Sequence, residues 1–366
     1  MLTKFAVTNY RGFKERIEWD LTKPRNFEFN TFAVNNGIVK NGIIYGPNGC
    51  GKSNFGFAIF DIVNHLTQKY TKFDYYLNFT YAGAQNKPVL FEYDFIFGEK
   101  NIAYKYGKTR QGVLIEESLF VDENEVFNRK TGHFSLDTRQ FPIDKTMKRN
   151  LSDNANNVSI INYLLASYPL SQNHYLIFLR NFVDSMLWFR CLEAREFIGL
   201  DTSPQNMDEF IIRNGLVKDF SHFLKDVSGQ NFDFVKPLPG DKILNYYIEK
   251  VPVNFYQTVS TGTHSLMLLY FWLKHLESAS FVFIDEFDAF YHFKLAYEVC
   301  RRLFNLKCQV FMSSHNTYLM TNDLLRPDCN FILNHNKIKA LCDATDKELR
   351  EGHNIEKLFR GGAFDI

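Results

Sequence analysis

Gly46-Pro47-Asn48-Gly49-Cys50-Gly51-Lys52-Ser53 meets the phosphate-loop pattern G-x-x-x-x-G-K-[ST] at every position. The glycines let backbone N–H groups turn toward phosphates, Lys52 reaches the β- and γ-phosphates, and the Ser53 hydroxyl sits on Mg²⁺. Asn54 follows directly and joins the nucleotide-contacting set. Asn41-Gly42-Ile43-Ile44-Tyr45 ahead of the loop predicts a short buried strand. Ser53 to Leu66 behind it predicts a helix whose positive end faces the anion. A nucleoside triphosphate with Mg²⁺ is therefore the expected ligand; a glycine-rich turn without ligand is the competing reading.

Composition frames the loop without adding to it. A chain of 366 residues has length for about two domains, and its 45% hydrophobic residues suffice for a large core. The formal net charge of +1 gives no global pull toward nucleic acid or an acidic partner. Six cysteines (Cys50, Cys191, Cys300, Cys308, Cys329, Cys342) form no C-x-x-C pair. Reduced thiols in a cytoplasmic protein suit that scatter better than a disulfide framework or a zinc site. Neither an apolar leader in Met1 to Tyr10 nor a membrane-length apolar stretch is expected.

Taken in order, Leu2 to Val7 alternates as a strand, Asn9-Tyr10-Arg11-Gly12-Phe13-Lys14 follows, and a second strand is expected around Ile17 to Leu21. A first strand ending in Asn-Tyr-Arg-Gly-Phe, followed by Gly-Pro-Asn-Gly-x-Gly-Lys-Ser, resembles the ATP-binding-cassette ATPases of the SMC and RecF type. The resemblance implies an α/β P-loop NTPase fold of ABC type, ATP and Mg²⁺ as cofactors, and Arg11 as an ATP contact. A solvated arginine in a turn is the alternative. Val89, Phe91, Tyr93, Phe95 and Phe97 then alternate with partners of mixed polarity, and further strands at 101–106, 113–121 and 126–129 complete an antiparallel β subdomain. Helices are expected over 158–168, 175–192 and 210–224. No heptad repeat runs through them, so the middle predicts a compact helical insertion instead of a long coiled coil. Strand character returns at 232–235 and 243–256.

Phe281-Val282-Phe283-Ile284-Asp285-Glu286 is a buried strand delivering two carboxylates to its carboxyl end, and looks like a Walker B strand. In that role Asp285 steadies the Mg²⁺ shell and Glu286 polarises the attacking water; an ordinary Asp-Glu turn is the alternative. Gln309 to Asn316 is a second apolar strand, ending in Ser-Ser-His. The resemblance makes His315 a switch touching the γ-phosphate, so Lys52, Glu286 and His315 carry the chemistry. Val259-Ser260-Thr261-Gly262-Thr263 before a helical run resembles a shortened form of the family signature. Ser260 and Gly262 would then form a second anion cradle, facing ATP bound to another protomer. Asp288 stands where the family's D-loop aspartate lies. A glutamine loop has no convincing frame among Gln85, Gln111 and Gln140.

The expected organisation is 1–121 and 240–366 as the two halves of the ATPase domain, with 122–239 as a mostly helical insertion. The insertion and the tail Gly352 to Asp365 resemble the bacterial abortive-infection ATPases of the RloA-like type. What this implies is an anti-phage ATPase forming a homodimer or higher homo-oligomer and controlling a separately encoded effector. A RecF-like DNA-repair ATPase is the alternative. It needs a basic track, and only Lys105 to Arg110 and Lys145 to Arg149 offer one. A self-contained nuclease needs a further C-terminal metal-binding domain. Phe182, Met186, Leu187, Trp188 and Phe189 crowd one expected helix, either as an interface with a second chain or as the private core of the insertion.

Overall fold

The computed structural model describes residues 1–67, 69, 75–153, 157–190, 197–200, 206–335 and 337–364; Cys191, Leu192 and Asp365 lie outside them. Two seven-stranded sheets organise the fold. The first is antiparallel, running His133–Leu136, Asn124–Lys130, Leu114–Val121, Lys100–Lys108, Val89–Phe97, Leu2–Thr8 and Ile17–Asp20. Its alternation is the expected one: Val89, Phe91, Tyr93 and Phe95 are buried, and the residues between them are half-exposed.

The second sheet runs Phe197–Gly199, Met186–Arg190, Phe281–Asp285, Gln309–Ser314, Asn41–Tyr45, Asn330–Asn334 and Lys337–Ala340. Its five inner strands are mutually parallel and its two edge strands antiparallel. Every residue of Asn41–Tyr45 and of Phe281–Asp285 is buried, as strands covered on both faces require. The chain thus has an α/β P-loop NTPase fold combining an antiparallel and a mixed sheet.

The helix Lys52–Ile59, which opens from the phosphate loop, lies between the two sheets. Its sequence is apolar around most of its circumference, so it is stable only with cover on both sides. On one side Phe55 meets Phe5 and Trp19 of the antiparallel sheet at ring distances of 5.6 Å each. On the other, Gly56 is pressed so close that a Cβ there would stand 2.8 Å from the Phe283 ring and 3.0 Å from the Trp188 indole nitrogen. Trp19 also reaches Phe311 at 4.5 Å and Phe331 at 5.4 Å, tying the antiparallel sheet to the mixed one. The expected helix Ser53 to Leu66 is two helices, Lys52–Ile59 and Asp61–Thr67, broken at Phe60. Beyond the break the buried Asp61 accepts hydrogen bonds from Tyr75, Tyr106 and Lys108.

Three further expectations are corrected. The helix expected over 175–192 ends at Asp184, and Met186–Arg190 is a strand lying parallel to Phe281–Asp285. A run such as Met-Leu-Trp-Phe, apolar on both faces, has no period that separates a buried strand from a buried helix. Met186, Leu187, Trp188 and Phe189 are no more than 1% exposed, so their crowding is core packing and not a docking face. The helix expected over 210–224 is Met207–Arg213 and Val217–Ser228, parted at Gly215, whose φ of 64° is left-handed. The strand expected over 243–256 is a hairpin, Asn245–Ile248 and Val251–Asn254, followed by a helical turn Phe255–Thr258 that Asn254 caps. Among the described residues no helix is long and apolar enough to cross a membrane.

Trp188 packs 4.5 Å from Phe57 and shields the phosphate-loop helix. Trp188→Ala should therefore lower the unfolding free energy by about 3–5 kcal/mol. Leu238→Ser, at a side chain 69% exposed, should leave it within about 0.5 kcal/mol. Urea titration followed by circular dichroism compares the two.

Candidate functional site

The phosphate loop joins the carboxyl end of Asn41–Tyr45 to the helix Lys52–Ile59. Gly49 and Gly51 take left-handed φ values of 78° and 104°, which let the loop reverse with its amides inward. Gly46 is required by space: a Cβ there would stand 2.4 Å from the Leu333 carbonyl oxygen. The first-turn N–H groups of the helix have no intrahelical acceptors and form an anion-binding end. Cys50 is buried, and burial raises its thiol pKa above the usual cysteine value, which suits packing and not nucleophilic chemistry.

Lys52 folds back over this loop. Its Nζ donates to the carbonyl oxygens of Gly46 at 2.8 Å and Pro47 at 3.2 Å, and stands 3.4 Å from His315 Nδ1. An ammonium only donates, so His315 Nδ1 is the acceptor and the imidazole carries its hydrogen on Nε2. Burial, and then the Lys52 charge, pull the His315 pKa below the usual histidine value, so the ring is neutral at pH 7. Burial likewise lowers the Lys52 pKa, against the pull of Asp285 and Glu286.

The neighbouring parallel strands bring the acids to the same edge. Asp285 is fully buried and its Oδ1 accepts from Ser313 Oγ at 2.6 Å. That hydroxyl in turn accepts the Glu286 N–H at 2.8 Å, so Ser313 holds both carboxylate-bearing residues. Glu286 has φ 50°, a left-handed backbone that costs a non-glycine residue of order 1 kcal/mol and turns its side chain off the strand end. Asp288 accepts from Ser314 Oγ at 2.8 Å, and burial holds its carboxyl pKa above the usual range.

Arg11 reaches the loop from the antiparallel sheet. Its guanidinium is 3.3 Å from Asn54 Oδ1 and lies over the Phe57 ring at 4.9 Å, so Arg11, although in a turn with φ 46°, packs on the phosphate-loop helix. Arg11 and Asn54 line a cleft of about 650 Å³ with Tyr76, Gln85 and Arg110. Arg11 Nε is buried without a hydrogen-bond partner among the described residues. Of the three glutamines considered, Gln85 lies in this cleft and accepts from Arg110 at 2.6 Å.

The structure thus gathers the Gly46–Ser53 loop, Asn54, Arg11, Asp285, Glu286, Asp288 and His315. Ser260 and Gly262 have their contacts elsewhere among the described residues. Ser260 caps the helix Thr261–His275 through Thr263, which bonds Gln230, and a Cβ on Gly262 would approach the Phe290 carbonyl at 3.2 Å. Two residues with a part in the site escaped the sequence reading. Ser313 was hidden inside its strand. Arg190 pairs with Asp285 at 3.0 Å, and its one signal is that Met186 to Arg190 repeats the arrangement of Phe281 to Asp285: four apolar residues, then a charge.

The residues fit Mg²⁺. Among the described residues no three of His, Cys, Asp and Glu gather into a cage. A hydroxyl and one carboxylate, Ser53 and Asp285, are the oxygen donors that Mg²⁺ takes when it keeps waters and shares phosphate oxygens.

Residues 43–321 match the AAA_21 family, described as "AAA domain, putative AbiEii toxin, Type IV TA system". No curated protein matches. Similar solved structures include the SmcHead bound to the C-winged helix domain of ScpA, at 13% identity over 92% of this chain and 96% of that one, with TM-score 0.47. The SMC head domain from Thermotoga maritima is similar at 15% identity over 93% and 98%, with TM-score 0.43. The Smc head domain with an extended coiled coil bound to the C-terminal domain of ScpA, derived from Pyrococcus furiosus, is similar at 12% identity over 94% and 97%, with TM-score 0.44.

Ser313→Ala removes the hydroxyl that orients both acids while leaving the phosphate loop untouched. Nucleotide turnover should fall by about 10–100-fold, the usual effect of losing a group that orients a ligand, with nucleotide affinity in EDTA unchanged. Steady-state turnover and equilibrium binding of a fluorescent nucleotide read the two quantities separately.

Proposed function

The chain belongs to the AAA_21 family, and from that premise we propose that it is the ATP-binding and hydrolysing subunit of a bacterial anti-phage, abortive-infection system. Two copies close around ATP, and the cycle of closure and hydrolysis controls a separately encoded effector. What supports this reading is the convergence of Lys52, Asp285, Glu286 and His315 at the carboxyl ends of three neighbouring parallel strands, around a loop shaped for phosphates. The family's description, which names a toxin and a type IV toxin–antitoxin system, supports the defence context.

In this reading the loop amides and Lys52 bind the β- and γ-phosphates. Ser53 and Asp285 would hold Mg²⁺, which supplies charge neutralisation on the phosphate oxygens. Glu286 orients the attacking water and draws on its proton, and the neutral imidazole of His315 donates Nε2–H to the charge growing on the γ-phosphate. Arg11 and the cleft beside it take the remainder of the nucleotide. Asp288 sits at the rim of the same strand edge. Ser260 and Gly262, at the start of a helix away from the loop, complete the site of a second copy with a helix N-terminus. Of the basic stretches considered for DNA, Lys108 is buried against Asp61 and Lys105 is paired with Glu92, so Lys105 to Arg110 is no free track.

Glu286→Gln should retain ATP and accumulate as a dimer, with hydrolysis reduced at least about 100-fold. Lys52→Ala should lose binding. Mixing Lys52→Ala with Ser260→Arg chains should restore activity above that of either alone, since one composite site of the mixed dimer carries neither lesion. Light scattering that finds a fully active monomer indifferent to ATP overturns the reading. Phage plating on cells carrying this gene and its neighbour, compared with Lys52→Ala, tests the defence role.

A further inference from the structure

Asp285, at the strand edge beside the phosphate loop, has both carboxylate oxygens engaged. Oδ1 is taken by the Ser313 hydroxyl at 2.6 Å. Oδ2 accepts from Arg190 twice, from Nε at 3.2 Å and from Nη2 at 3.0 Å. The pairing is built by the backbone: Met186–Arg190 runs parallel to Phe281–Asp285 with Arg190 directly opposite Asp285. The four residues before Arg190 are buried, so its Cα has no freedom to drift, while its own side chain is 25% exposed and lies over the Trp188 ring at 5.8 Å.

A guanidinium does not lose its proton in proteins, and its fixed positive charge at hydrogen-bond distance from Asp285 opposes a divalent cation arriving at the same carboxylate. If Asp285 is the metal carboxylate, a cation meets Oδ2 already filled by two Arg190 bonds and reaches Oδ1, which accepts one bond from Ser313, against the same guanidinium charge. We propose that Arg190 is a positioning residue that competes with Mg²⁺ for the Asp285 carboxylate, and so sets the metal concentration at which the nucleotide site loads. This rests on the ATPase reading above. The guanidinium keeps the buried carboxylate neutralised before loading and gives up that pairing, toward the side on which it is already exposed, as the metal enters.

The test reads binding and not turnover. A fluorescent, non-hydrolysable ATP analogue is titrated with MgCl₂ on wild type, Arg190→Gln and Arg190→Lys, with melting temperatures recorded alongside. Removing the competitor should lower the half-saturating Mg²⁺ concentration about tenfold in Arg190→Gln, the lower end of what close charge pairs contribute. Arg190→Lys, a point charge without the fork, should shift it in the same direction by less. A merely structural arginine gives the opposite sign, with lower melting temperature and weaker loading at every Mg²⁺ concentration. An unchanged or raised midpoint in folded Arg190→Gln overturns the proposal. If that variant does not fold, the same result in Arg190→Lys does so. Nucleotide binding indifferent to Mg²⁺ in the wild type also overturns it, while absence of any Lys52-dependent nucleotide binding overturns the ATPase reading itself.

Discussion

The hydroxyl of Ser313 is bonded on two sides by the strand beside it, donating to Asp285 and accepting from the backbone of Glu286. Parallel strands are joined by slanted, evenly spaced bonds that say little about how far each strand runs before its chain turns away. One short side chain fixes that here. By closing on the acid strand at the point where it ends, Ser313 sets where Phe281–Asp285 stops, how Glu286 leaves the sheet, and how far His315, two residues on, stands from Lys52. A buried carboxylate without such a partner would be costly to keep charged, so the bond also makes Asp285 tolerable in a wholly buried position.

The antiparallel sheet is attached to this centre by polar groups as well as apolar ones. Lys108 is paired with Asp61, and Arg129 with Glu117, each partner at most 3% exposed. Tyr75 and Tyr106 complete the first pair, and Tyr104 and Ser159 the second. His65 stacks on Tyr106 at 4.0 Å, between the two groups, and burial depresses its pKa well below the usual value, so it stays neutral there. Pairs of this kind add little net stability compared with apolar residues of the same shape, but breaking one costs about 3–5 kcal/mol. The first pair joins the antiparallel sheet to the helix Asp61–Thr67, and the second joins it to the start of the helix Ile160–Ser167.

What the sequence made legible follows from how locally each feature is encoded. The phosphate loop, the acid strand and the histidine strand are contiguous, and each was placed to within a residue or two. The antiparallel strands announce themselves by alternation, from Val89 to Phe97 most plainly. Arg190 was not legible, because its meaning lies in a neighbour 95 positions away. The strand that carries it was hidden for a related reason: a segment buried on both faces carries no periodicity, and the helix just before it supplied a misleading one. The break at Phe60 was equally invisible, since Asp61 is drawn inward by Lys108 and Tyr106 on a distant sheet.

Glu286 holds a left-handed backbone that glycine or asparagine would occupy at less cost. Two selective pressures therefore meet at a single codon. Under the role proposed for Glu286, substitutions there that relax the main chain would gain stability while discarding the carboxylate, so a lineage under pressure for robustness alone would drift toward an inert scaffold. Persistence of an acidic residue at this position among descendants of the chain would be a record of continued use, and its replacement by a small or amide residue the mark of a copy retained for binding only.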